Sequence, residues 1–125
     1  MILDTCALLW LAAGGGRLSS RAVKAIENAP NVCISAITGF EIALQHSHGR
    51  LKLAVHPKVW VESMLEQHGI ACIQLSLEVC ANAAMLPHHH RDPCDRFIIA
   101  TAKLLGMPVV TTDRIFEKYG VETIG

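Results

Sequence analysis

The sequence predicts an α/β fold in which a parallel sheet is covered on both faces by helices. Three observations predict it. Short apolar runs alternate along the chain with longer segments of helical periodicity. The connections between them are short, with no linker, repeat or low-complexity segment. At 125 residues, 51% hydrophobic and 18% charged, the chain suits one domain with a sizeable core, residues 1–125. Right-handed crossovers are expected between parallel strands.

Met1–Leu3 is a first apolar strand that ends at Asp4. Thr5 to Ala13 carries Leu8, Leu9, Leu11 and Ala12 and reads as a helix, broken by Gly14–Gly16. Ser19 or Ser20 can cap a second helix, with Ala22, Val23 and Ile26 inward and Pro30 beyond its end. Val32–Ala36 has the signature of a buried strand. Thr38 and Glu41 form a capping box that opens a helix through about His46. Gly49–Val55 reads as a loop or short extended piece. Pro57 starts a helix with Trp60, Val61, Met64 and Leu65 inward and Gly69 at its end. Ile70–Leu75 is a strand, and Leu77–Leu86 an Ala-rich helix stopped by Pro87.

The best-signalled helix follows. Asp92 stands at the N-cap, Pro93 at the first helical position and Asp95 in the box position. Phe97, Ile98, Ala100, Thr101, Leu104 and Leu105 recur at helical spacing, and Gly106 is placed to end the helix. Pro108–Thr112 is a further strand ending at Asp113. Arg114–Lys118 is one helical turn, Gly120 a break and Val121–Ile124 a last strand.

Composition excludes several classes. Lys plus Arg (11) balances Asp plus Glu (11), so there is no bulk basic signature of a nucleic-acid binder. The one modest basic group, Arg50, Lys52 and Lys58, reads as a solvated face, with a nucleic-acid path as the alternative. No apolar run has membrane length, so no membrane partner is expected. The five cysteines form no CxxC pair, and Met1 leads straight into a strand with no targeting segment before it. They are expected to be reduced core thiols of a cytoplasmic protein.

Four acids share a grammar. Asp4 and Asp113 each end a strand and precede a helix, and Glu41 stands in the first turn of a helix that follows a strand. In a parallel sheet such helices start at the carboxyl edge, where open α/β folds place their sites. Asp95 follows a helix instead. That helix runs about 15 Å away from the edge. The stretch Pro87–Asp92 can span roughly 20 Å if extended, which brings Asp95 back. Each acid alone is ordinary cap chemistry, worth about 1 kcal/mol or less. Together they repel, and a hard divalent cation, Mg²⁺ or Mn²⁺, would relieve the repulsion. Such an ion can activate water and stabilise charge on a phosphoryl group.

Zinc is a weaker expectation. His88, His89 and His90 are consecutive, and adjacent side chains do not converge on one point. They read as a polar loop beside the site, from which one could touch substrate or move a proton.

The ordered set Ile2-Leu-Asp4-Thr, Ile34-Ser-Ala-Ile-Thr-Gly-Phe-Glu41, Gly49-Arg-Leu-Lys-Leu, Leu86-Pro-His-His-His-Arg-Asp-Pro-Cys-Asp95-Arg-Phe and Val110-Thr-Thr-Asp113 resembles PIN-domain proteins of the VapC toxin type along the whole chain. The resemblance implies a three-layer α/β/α domain with a central parallel sheet. It implies a Mg²⁺- or Mn²⁺-dependent endoribonuclease, the toxin of a type II toxin–antitoxin pair. The family's catalytic and metal-binding acids carry over onto Asp4, Glu41, Asp95 and Asp113, with Asp4 and Asp95 as the direct metal ligands. Glu41 would bind metal or orient the water, and Asp113 would hold a second ion or act through water. Thr111, on the strand face of Asp113, could hydrogen-bond the cluster. The partners implied are an RNA substrate, a cognate antitoxin, a second copy in a homodimer, and operator DNA through the antitoxin. Two positions depart from the pattern. Cys94 stands where an aromatic residue is common, and the glycine run after the first helix is unusually permissive.

Two rival readings are a non-catalytic RNA- or partner-binding module with a degenerate metal site, and a phosphatase or receiver domain phosphorylated on an acid. The second is disfavoured by Cys6 where a phosphatase needs a second Asp. It also lacks the lysine that a receiver would carry at Val110–Asp113.

Overall fold

The structure, a computed structural model, describes residues 1–125. Five parallel strands form one sheet in the order β3-β2-β1-β4-β5: β1 Ile2–Leu3, β2 Cys33–Ser35, β3 Ala71–Ile73, β4 Val109–Val110 and β5 Thr123–Ile124. Six α-helices connect them: α1 Thr5–Ala12, α2 Ser20–Asn28, α3 Ala36–Ser47, α4 Pro57–His68, α5 Leu77–Met85 and α6 Pro93–Leu105. A 3-10 helix at Arg114–Tyr119 joins β4 to β5. The chain order reverses direction at β1, which pairs with β2 on one side and β4 on the other. The parallel α/β expectation holds.

The strands are short, but the two-residue period sorts their side chains cleanly between two cores. Ile2, Cys33 and Val109 point to one face, with Ile98, Ile99 and Ala102 of α6 and with Phe116 and Tyr119 of the 3-10 helix. Leu3, Ile34 and Val110 point to the other, with Leu8, Ala22, Ile42 and Val61 from α1 to α4. Fully burying one such large side chain contributes roughly 1.5–3 kcal/mol. Helix α5 packs on α6 rather than on the sheet, through Val79, Ala83 and Ala100. That is why its outer residues Leu77 and Met85 stand exposed.

Several local expectations need correction. Helix α3 begins at Ala36, not after Thr38, because the Ser35 hydroxyl caps it by accepting the Ile37 N–H at 3.2 Å. Thr38 turns inward instead and meets the Thr5 hydroxyl at 3.3 Å. Strand β3 is an edge strand with Ala71 and Cys72 exposed. Of the five free cysteines only Cys33 and Cys94 are buried, so the core-thiol expectation fails for Cys6, Cys72 and Cys80. On α6 the inward face is wider than expected and includes Arg96, while Leu104 and Leu105 are exposed. The glycine run is used rather than merely permitted. Gly16 adopts a φ of +45°, and a Cβ there would lie 3.1 Å from Trp10 Cβ.

Candidate metal centre at the carboxyl edge

Each acid reaches the carboxyl edge of the sheet by its own route. Asp4 leaves β1 and caps α1, accepting the Ala7 N–H on Oδ1 at 2.8 Å. Its own N–H donates to the Val110 carbonyl, which fixes it beside β4. Its side chain is buried. Asp113 follows β4 and caps the 3-10 helix through Oδ1, which accepts the Ile115 N–H at 2.9 Å. Thr111 connects the two acids. Its hydroxyl accepts the Asp113 N–H at 3.0 Å and lies near enough to Asp4 to pull that carboxyl down against the effect of burial.

Asp95 lies in the first turn of α6, half-buried. The expected capping box is not closed. Asp92 does cap the helix, accepting the Cys94 N–H on Oδ1 at 2.9 Å. The Asp92 N–H that Asp95 would have taken donates instead to His90 Nδ1 at 3.1 Å. Asp95 is thereby left free to face the other acids. Glu41 sits one turn into α3, later than the third-position expectation, and is half-buried. Cys94, at the position where an aromatic residue is common, is buried beside Glu41 and Asp92, its Sγ within 4.8 Å of a carboxylate oxygen of each.

The electrostatics show that the acids share one field. Burial, with Glu41 and Asp113 adding to it, raises the Asp4 carboxyl above the ordinary range against the pull of Thr111 and Ala7. Burial first, then Asp92, Glu41, Asp4 and Asp113, pushes Asp95 up to about 8. The field reaches the flanking thiols. Burial and the acids raise Cys94 to about 12 and Cys6 to about 11. No lysine or arginine pairs with any of the four acids. Carboxylates gathered at one edge, two of them raised by burial and by their neighbours and none paired with a lysine or arginine, are the donor set a hard divalent cation takes, so the residues fit Mg²⁺ or Mn²⁺. Two triads bring ligand atoms within 4.8 Å of one another: His90, Asp95 and Asp113, and Glu41, Asp92 and Cys94. Asp4 belongs to neither triad.

His90 is the site residue that sequence reasoning missed as an individual. Its Nε2 lies 2.8 Å from Asp113 Oδ2 and 3.0 Å from Asp95 Oδ2. His88 and His89 are exposed, as a polar loop predicts. Arg50, Lys52 and Lys58 are all exposed, as a solvated face would be.

With this geometry in hand, the chain can be placed among known proteins. Residues 1–122 match the PIN domain. The chain belongs to the PIN-domain family. Within it, the chain is 35% identical over 115 residues to Ribonuclease VapC22 of Mycobacterium tuberculosis (strain ATCC 25618 / H37Rv), covering 91% of this chain and 87% of that protein. The match places it with the VapC-type PIN proteins. The fold is also that of VapBC2 from Rickettsia felis bound to a DNA fragment from their promoter, at TM-score 0.70 and 14% identity over 98% of this chain and 96% of that one. A toxin–antitoxin complex from Klebsiella pneumoniae gives TM-score 0.60 at 21% identity, over 90% of this chain and 85% of that one. No helix of this PIN protein is long and apolar enough to cross a membrane.

Proposed function

We propose that this PIN protein is a Mg²⁺- or Mn²⁺-dependent endoribonuclease, the toxin of a type II toxin–antitoxin pair. The observation that carries the reading is the meeting of Asp4, Glu41, Asp95 and Asp113 at one sheet edge with no lysine or arginine to neutralise them. The 35% identity to a ribonuclease supports the same substrate class.

Asp4 and Asp95 are the residues that would hold the ion, with Glu41 and Asp113 beside them. A bound divalent ion supplies Lewis acidity, lowering the pKa of water and offsetting charge on the phosphoryl oxygens. The chain's own groups do the rest. Glu41 orients the attacking water. The Thr111 hydroxyl keeps Asp4 and Asp113 in register. Water attacks phosphorus in line with the 3′-oxygen and gives a proton to solvent, the new O–P bond forms as the P–O3′ bond breaks, and the leaving 3′-oxygen takes a proton from solvent, so the products carry a 5′-phosphate and a 3′-hydroxyl. The RNA 2′-hydroxyl takes no part.

The protein is further proposed to act in the cytoplasm, where its five free thiols stay reduced. Its partners would be a cognate antitoxin, through which it reaches operator DNA, and a second copy of itself. The exposed apolar residues Phe40 and Leu44 on α3, and Leu77 and Met85 on α5, are the surfaces such partners would cover.

The test is cleavage of a mixed RNA pool by the purified protein, freed of antitoxin, with Mg²⁺ or Mn²⁺ and beside Asp95→Asn. Cleavage by the wild type alone, leaving 5′-phosphate ends, is the expected result. A folded, ion-binding wild type that cuts nothing would sink the nuclease reading in favour of a binding module.

A further inference from the structure

We infer that His90 is a positioning residue of the acid site, the donor that orients Asp95 and Asp113 toward the divalent ion. The inference rests on the metal-dependent reading above. Three facts carry it.

First, the imidazole is held from every side. Its ring is about nine-tenths buried, with side-chain exposure of 10%. Nδ1 accepts the Asp92 N–H, and the Phe116 ring meets it edge-on at a centroid distance of 5.8 Å. The backbone is pinned as well. The Tyr119 hydroxyl accepts the N–H groups of His90 at 2.7 Å and His89 at 3.0 Å, and itself donates to the Pro87 carbonyl at 2.7 Å. A side chain of a merely solvated loop has no such set of restraints.

Second, the restraints choose the tautomer. A nitrogen that accepts a backbone N–H carries no proton, so the neutral ring has its proton on Nε2. Nε2–H is therefore a donor, hydrogen-bonded to Asp113 Oδ2 at 2.8 Å with Asp95 Oδ2 beside it at 3.0 Å. In this tautomer Nε2 has no lone pair to offer an ion. The geometry makes His90 a partner of the carboxylates rather than a ligand.

Third, these two carboxylates need such a partner. They come from different elements, α6 and the end of β4, and no cationic side chain joins them. Asp113 has Oδ1 committed to Ile115, and His90 fixes its other oxygen. Hydrogen-bonded partners of ligating carboxylates typically contribute about 10–100-fold in metal affinity or activity.

The experiment is Mn²⁺ titration of the full-length protein, followed by electron paramagnetic resonance and calorimetry, for wild type, His90→Ala, His90→Gln and Tyr119→Phe. Circular dichroism and urea unfolding verify that each is folded. His90→Ala is expected to weaken Mn²⁺ binding by about 10–100-fold. His90→Gln, which keeps an N–H donor, should recover part of the loss. Tyr119→Phe, which releases the backbone of His90 without entering the site, should weaken binding less than His90→Ala does; it carries the test if His90→Ala does not fold. Where RNA cleavage is measured, kcat should fall while KM for RNA stays put. Binding within twofold of wild type in His90→Ala overturns the inference. So does tighter binding, which would make the imidazole a competitor of the ion. A wild type that binds Mn²⁺ yet cuts no RNA removes the nuclease reading and leaves His90 tested by the titration. A wild type that takes up no Mn²⁺ overturns both.

Discussion

Arg96 Nη2 donates to the Leu86 carbonyl at 2.7 Å, so a charge from the first turn of α6 closes the end of α5. The same guanidinium serves the carbonyls of Ala83, Ala84 and Pro87 and touches the Tyr119 hydroxyl. The last carbonyls of a helix have no partners within it, and the negative end of the helix dipole lies there. A buried cation satisfies both.

Arg96→Met should therefore destabilise the fold by about 2–4 kcal/mol, since it leaves buried carbonyls unpaired. Arg96→Lys should recover only a minor part, because an ammonium lacks the planar fork. Urea unfolding curves measure both. Equal stability of Arg96→Met and wild type would show that water replaces the guanidinium at no cost.

The acid site makes the metal-free protein sensitive to pH in a direction opposite to ordinary acid denaturation. Asp95 titrates at about 8 in the fold and near 3.8 when unfolded. Between these values the folded state binds more protons than the unfolded one, so stability falls as pH rises. The contribution of Asp95 is intact below about 4 and lost progressively toward 8. In chelator, thermal unfolding should show this fall. Asp95→Asn should flatten it and leave the metal-free variant more stable than wild type at alkaline pH.

Ion binding should release protons for the same reason. At pH 7 Asp95 is mostly protonated in the metal-free fold, and a ligating carboxylate must give its proton up. Calorimetry in buffers of different ionisation enthalpy should find about one proton released per Mg²⁺. A value near zero would place the ion away from Asp95.

Gly16→Ala should destabilise more than Gly106→Ala. Both glycines have positive φ, which costs a side chain roughly 1–2 kcal/mol. At Gly106 a new Cβ meets open space, whereas at Gly16 it meets Trp10 at 3.1 Å. Chemical denaturation of the two variants gives the comparison, and equal losses would mean that Trp10 yields freely.

What could be read from the sequence follows a physical division. Asp4 and Asp113 were legible because a cap is local: the residue, the strand before it and the helix after it are contiguous. The start of α3 was not, since Ser35 and Thr38 are both good caps. The choice between them is made by the distant Thr5 hydroxyl. His90 was indistinguishable from His88 and His89 for the same reason, as the groups its ring meets, Asp113 and Phe116, come from another part of the chain. Arg96 did leave a signal, a cation at inward spacing on an apolar helix, but its partners are carbonyls at the end of another helix, which spacing along α6 does not show. For the four acids, the local grammar predicted a shared edge and a divalent ion, while the separate roles proposed for them came only from the ordered resemblance to a family.

The position of β1 has a consequence for the order of events during synthesis. The first strand made is the central one, and its β4 partner is among the last. At about 5–20 residues per second, the ribosome takes roughly 5–20 s to go from Asp4 to Asp113. Until then Asp4 has neither Thr111 nor the Val110 carbonyl to hold it, and His90 has no Asp113 to span. On the nuclease reading, a half-made chain carries no working site. On that reading, activity would arrive only once Asp113 has been made, the moment an antitoxin would first have something to restrain.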